Sequence, residues 1–157
     1  MNIFITSKCP KECAKFIDDK RVVKMCLETA QMLCTAVNEM GGNAPYKSTH
    51  KNHPCNIWAR LTRSNWLWLW NHGKALCKEY TYRYGKKHKC EDILDNIIQL
   101  SYYIPIGVLT EFPNCAANKS LGISYKHLET TLAYKMYLKD RWASDKRIPT
   151  RYKVSIL

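Results

Sequence analysis

The sequence predicts an all-α protein: one compact domain over residues 1–157, with two long helices plus shorter helices and long irregular loops. Three observations predict it. Apolar residues recur at helical spacing through two stretches of about twenty residues. Glycine stands where each stretch stops. Nowhere do β-branched and aromatic residues alternate with polar ones over the length of a strand. A chain of 157 residues is long enough to bury its own core as one domain.

The elements follow in order. Met1 to Thr6 is a short, partly apolar lead-in, and Lys11 to Asp18 is a first helical stretch. From Asp19 to Met40, residues Val22, Val23, Cys26, Leu27, Ala30, Leu33, Cys34 and Val37 share one arc of a helix, which Gly41-Gly42 ends. Asn43 to Pro54 is polar and irregular, and a short helix spans Asn56 to Thr62. The second long helix runs from Ser64, as its N-cap, to Tyr84, with Gly85 after it. Cys90 to Leu100 is a further helical segment with Ile93, Leu94, Ile97 and Ile98 apolar. Ile104 to Gly122 carries two prolines and two glycines and reads as loop. The last helix covers Ser124 to Trp142, with Leu128, Leu132 and Leu138 in the core, and Ser144 to Leu157 is a basic tail.

Composition narrows the function. Lysine and arginine number 25 against 13 acidic residues, a formal charge of +12. Such an excess points to a polyanionic partner, either DNA or an anionic nucleotide. No apolar run approaches the ~20 residues of a membrane span, so no membrane partner is expected. Met1 to Pro10 lacks the apolar core of a secretory signal, which predicts an intracellular protein, in host cytoplasm or nucleus if viral. The eight cysteines then read as free thiols, with Cys26, Cys34 and Cys77 as small buried hydrophobes. No cofactor and no metal are expected. The alternative is structural zinc on Cys9 and Cys13 or on His50, His53 and Cys55, whose spacings match no standard finger.

Four groups of residues carry candidate chemistry. Arg21, Lys24, Glu28, Gln31 and Thr35 are spaced three and four apart and form one stripe opposite the apolar arc, with Arg21, Lys24 and Gln31 as candidate nucleic-acid or phosphate ligands. Its single carboxylate, Glu28, suits a developing cation or a held water. The loop and helix that follow bring His50 and His53 as acid–base groups, and Lys47, Lys51 and Arg60 as phosphate ligands. Trp66, Trp68, Trp70, Tyr80, Tyr82 and Tyr84 cannot share one helix face, so some pack inward and others sit at an edge. Arg83 and Lys86 follow there as candidate phosphate clamps. In the C-terminal stretch from Lys139 to Lys153, Arg151, Trp142 and Tyr152 combine cationic and stacking groups suited to a nucleic-acid strand.

These residues also carry a resemblance. Asp18-Asp19-Lys20-Arg21-Val22-Val23-Lys24-Met25, with Leu27-Glu28 and Gln31-Met32-Leu33, resembles a motif of small basic proteins of DNA bacteriophages and large DNA viruses, a family with no established activity. Tyr46-Lys47, Thr49-His50, Asn52-His53-Pro54-Cys55 and Trp58 resemble a later motif, as do Glu79-Tyr80-Thr81, Arg83-Tyr84-Gly85-Lys86 and His88. More distantly, the order of elements is similar to the pyrimidine-dimer DNA glycosylases of the T-even phage endonuclease V type. That similarity implies a small basic all-α fold with a catalytic glutamate at Glu28. The family's histidine seven residues earlier falls on Arg21, and its arginine three residues later falls on Gln31; both positions depart from the pattern. Pro149-Thr150-Arg151-Tyr152-Lys153 resembles the family's basic, aromatic end.

Such enzymes attack with a free α-amine exposed by loss of the initiator methionine, and α-amines titrate near ~7.7–8.0. Here residue 2 is Asn, which predicts that Met1 is kept. The amine then lies one residue further out, by up to ~3.5 Å. The expectation is that it misses the reacting carbon, that water attacks and that no imine forms. The function expected first is a DNA glycosylase-like enzyme using Glu28 at the glycosidic bond. A non-catalytic DNA- or nucleotide-sequestering protein and a zinc-stabilised interaction module are the alternatives.

Overall fold

A computed structural model of the protein describes residues 1–146. Among them, six α-helices form one compact all-α domain: α1 (Pro10–Phe16), α2 (Asp19–Glu39), α3 (Pro54–Leu61), α4 (Arg63–Tyr84), α5 (Glu91–Ile97) and α6 (Thr130–Ser144). A 3-10 turn, Ile98–Tyr103, extends α5. The β structure described is one small ribbon, in which β1 (Ala117–Asn118) pairs antiparallel with β2 (Ile123–Ser124).

The two long helices pack on each other, and α1 and α3 fill in around α4. Gly73 on α4 allows the close approach: a Cβ there would stand 2.9 Å from Thr29 of α2 and 3.2 Å from Leu94 of α5. Asp18 caps α2 by accepting the Arg21 N–H, and Gly85 ends α4 at φ +67°. Thr62, not Ser64, caps α4, because its extended backbone turns the hydroxyl back onto the Asn65 N–H. Ser64 is already helical and donates to the Gly107 carbonyl at 2.6 Å.

Burial departs from the single-arc expectation on α2. Met25 and Met32 join the core, while Val23 and Leu27 stay 39% and 38% exposed. A helix contacted by α3, α4 and α5 has several buried faces rather than one. The last helix starts at Thr130, six residues later than expected. Ile123–Ser124 are taken by the ribbon, and Glu129 caps the helix by accepting from Thr131 and Leu132. Its core face is Tyr134, Leu138 and Trp142, four residues apart, and Leu132 is exposed.

The tryptophans divide as their spacing requires. Trp66 and Trp68 are buried and Trp70 is half-buried. Their indole N–H groups donate to the carbonyls of Leu33, Lys8 and Leu94, as buried indoles require. In the tyrosine run Tyr80 is buried, whereas Tyr82 and Tyr84 are exposed, at 74% and 42%.

His72, inside α4, is buried and stacks on Trp68. Its Nδ1 lies 3.2 Å from the Pro10 carbonyl, which can only accept. Burial pushes its pKa down to about 4. Between pH ~6.5 and about 4 the unfolded chain therefore takes up a proton that the native ring refuses. Stability is full above that window and falls as pH drops through it, by roughly 3 kcal/mol. Urea unfolding at pH 7 and pH 4 should show the loss, and His72→Gln, although less stable throughout, should flatten the slope by that amount. An unchanged slope would mean that His72 does not carry it.

Candidate active site

The lead-in residues build the site. Ile3 and Ile5 are fully buried, so the first residues thread into the core rather than trail in solvent. Phe4, between them, takes the left-handed backbone conformation at φ 58° and stacks on Tyr137 with ring centroids 5.8 Å apart. Asn2 anchors the end: its Oδ1 accepts from the Ile3 N–H and the Tyr134 hydroxyl, both at 2.8 Å.

This threading places the α-amine of Met1 3.9 Å from Oε1 of Glu28. The Met1 side chain is 3% exposed although the residue is half-buried, so the part that meets solvent is its main-chain end. Glu28 also meets Nζ of Lys24 at 3.3 Å; that lysine is 75% exposed, whereas the glutamate is 11% exposed. The path of residues 1–5 thus brings the α-amine of Met1 beside the Glu28 carboxylate.

The stripe on α2 is less open than a solvated face. Thr35 accepts from the Thr49 N–H at 3.1 Å, and Asn56 donates to the carbonyls of Thr49 and His50. The 43–53 loop is thereby tied to α2 and α3. His50 is held at φ 47°, an uncommon conformation for a residue with a Cβ, and its Nδ1 lies 2.8 Å from the Thr49 hydroxyl. His53 caps α3 by accepting the Cys55 N–H on Nδ1 at 3.1 Å. Its pKa is lowered, first by burial, then by the charges of the α-amine and of His50, with Glu28 opposing. The same electrostatics place His53 in the field of both the amine and the carboxylate.

Beside His53 lie two thiols. One ligand-type atom from each of His53, Cys55 and Cys115 sits within 4.8 Å of the others. The Cys55–Cys115 hydrogen bond, with burial second, pushes the Cys55 thiol up; the same bond, against burial, brings Cys115 down to about 7. Cys115 was not a candidate from sequence. It comes from the irregular segment before the ribbon, and no local spacing pairs it with residues sixty positions earlier.

The remaining predicted residues separate into rim and framework. Lys24, Lys47, Lys51, Lys86 and His50 are exposed. Gln31 is half-buried, and Arg60 donates to the Lys51 carbonyl at 2.7 Å, bracing the loop. Three expected nucleic-acid contacts are instead framework. Trp142 is buried, stacks on Phe16 and donates to Asp18 at 2.7 Å. Arg21 pairs with that same Asp18 at 2.8 Å and lies 3.9 Å from Asp145. Arg83 is buried and donates to the carbonyls of Ile17 and Lys15 just past and within α1, and to Glu79. Buried cations and indoles take fixed partners, which is why these three face inward. Arg151 and Tyr152 lie outside the described residues.

A separate groove of about 770 Å³ between α1 and α4 is lined by Lys11, Lys15, Lys74, Lys78, Trp70 and Glu79, among others. None of the residues around Glu28 lines it. No described helix is long and apolar enough to cross a membrane.

A family model described as pyrimidine dimer DNA glycosylase matches residues 1–92. That span contains Met1, Glu28 and His53 and all of α1 to α4. No curated protein and no solved structure matches the chain. With more than half of its length inside the match, the chain belongs to the pyrimidine dimer DNA glycosylase family.

Proposed function

We propose that the protein is a DNA N-glycosylase in which the α-amine of Met1 attacks the sugar and Glu28 serves the glycosidic bond. The observation that carries this reading is the mostly buried Glu28 carboxylate with the α-amine 3.9 Å away. A protein that only sequesters DNA gains nothing from sinking its stripe's one carboxylate beside an amine, because a buried anion repels phosphate.

The steps balance on these groups. The neutral amine's lone pair forms a bond to C1′ as the C1′–base bond breaks and the base leaves with that pair. Positive charge builds on the sugar during departure, and stabilising it is the role proposed for the carboxylate of Glu28. The attacking amine then carries a surplus proton, for which Glu28 is the adjacent acceptor. The nitrogen lone pair then opens the sugar ring by breaking C1′–O4′, the proton held by Glu28 passes to O4′, and a protonated imine is left between Met1 and C1′. His50, on the exposed rim, is the candidate proton donor to the leaving base, and His53 keeps a neutral ring beside the amine. Lys24, Lys47, Lys51 and Lys86, all exposed, are the candidate phosphate ligands. The target nucleotide must leave the base stack to reach Glu28.

The family description makes a pyrimidine dimer the first substrate to try. Duplex oligonucleotides with and without a dimer, incubated with the protein and borohydride, should give a reduced covalent complex only on the damaged strand. Peptide mapping should place it on Met1. Base release with no trapped complex would mean that water attacks instead. No reaction on any damaged duplex would remove the glycosylase reading.

A further inference from the structure

We propose that His53, Cys55 and Cys115 form a zinc site that fastens the segment before β1 to the start of α3. The three ligand-type atoms already lie within 4.8 Å of one another. In a tetrahedral zinc site, with Zn–S about 2.3 Å and Zn–N about 2.0–2.1 Å, neighbouring ligands stand about 3.5–3.8 Å apart. A contraction of about 1 Å closes the site. Two thiolates and one imidazole are the ligand set that suits zinc.

The surroundings are those of a supported site. Cys55 is buried, while His53 and Cys115 are half-buried, so the group is shielded yet reachable. Tyr134 hydroxyl accepts the Cys115 N–H at 2.9 Å and donates to Oδ1 of Asn2 at 2.8 Å. That same Oδ1 lies 3.9 Å from the sulfur of Cys55. One chain of hydrogen bonds therefore orients both cysteines, as outer-shell groups do around metals. The Nδ1 lone pair of His53 already faces Cys55, whose N–H it accepts at 3.1 Å; coordination through Nδ1 exchanges that bond for one to the metal. The fourth position falls to water, because Oδ1 of Asn2 already accepts from the Ile3 N–H and the Tyr134 hydroxyl. Two thiolates cancel the charge of Zn2+, so the bound ion adds no net charge beside the α-amine.

The site has a mechanical use. Residues 104–116 carry no helix or strand. A metal bridge would fix this segment to α3 and, through Asn2, steady the threaded N-terminus. The proposal does not depend on glycosylase chemistry, and its test does not use activity.

Reduced protein stripped of metal is titrated with Co2+ and then Zn2+. One equivalent of Co2+ should bind, with a thiolate-to-metal band in the near ultraviolet and the strong visible bands of tetrahedral cobalt. One equivalent of Zn2+ should displace it. Cys115→Ser and Cys55→Ser should each weaken binding by more than the ~10–100-fold typical of an outer-shell change. Cys9→Ser, at an exposed thiol, should leave it intact. The wild-type spectrum is decisive even if a variant folds poorly. Absence of saturable binding overturns the proposal, as does a thiolate band that survives in folded Cys115→Ser. Formation of a Cys55–Cys115 disulfide in air, with no metal held after reduction, overturns it too.

Discussion

Glu28→Gln is expected to lower base release by roughly 10²–10³-fold while DNA affinity changes little. The amide keeps the shape and the position on α2 but cannot carry the negative charge that a sugar cation needs. It also cannot take the surplus proton from the attacking amine, so both uses of the carboxylate fail together. Binding should survive because Glu28 is mostly buried and, of the proposed phosphate ligands, Lys24 alone pairs with it while Lys47, Lys51 and Lys86 are exposed. Loss of an anion from a basic surface should, if anything, tighten binding slightly. The fold should survive as well, since among the described residues the partners of Glu28 are Lys24, itself exposed, and the α-amine rather than core groups. Single-turnover base release, filter binding and thermal melting on one preparation separate the three effects. A folded variant that releases base at the wild-type rate would remove Glu28 from the chemistry.

What the sequence disclosed about this site followed from spacing along single elements. The ends of α2 and α4 were marked by Gly41-Gly42 and Gly85, and the stripe of Glu28 by its three-and-four intervals. What it hid followed from threading. Nothing local says that Met1 returns to Glu28; that depends on Ile3 and Ile5 being pulled into the core. Cys115 reaches Cys55 only because the irregular segment folds back over α3. The misread residues have a common cause. Arg83 and Trp142 are typical DNA-contact residue types, but composition cannot distinguish a cation facing phosphate from one satisfying the carbonyls of Lys15 and Ile17. Nor can it foresee that a fully buried Asp18 accepts from both Arg21 and Trp142.

A Gly-Ser dipeptide placed ahead of Met1 is expected to abolish the borohydride-trapped complex and to cut base release by ~10²-fold or more. The natural amine sits 3.9 Å from Glu28, and Asn2, immediately after it, is fixed by Tyr134. The anchor stays where it is, so two added residues carry the new amine up to ~7 Å away. Reaction geometry tolerates about 1 Å of misplacement before rate falls by orders of magnitude. The extension leaves Ile3, Ile5 and Asn2 untouched and keeps one positive charge at the terminus, so folding and DNA affinity should hold. That separates this variant from Glu28→Gln: the extension removes the nucleophile, whereas the glutamine removes the charge that serves it. If water were the true nucleophile, the extended protein would release base at close to the normal rate, and the wild type would yield no adduct. A normal rate in the extended protein together with an adduct in the wild type would place the reactive amine on a lysine, Lys24 first, since its ammonium already lies 3.3 Å from Glu28.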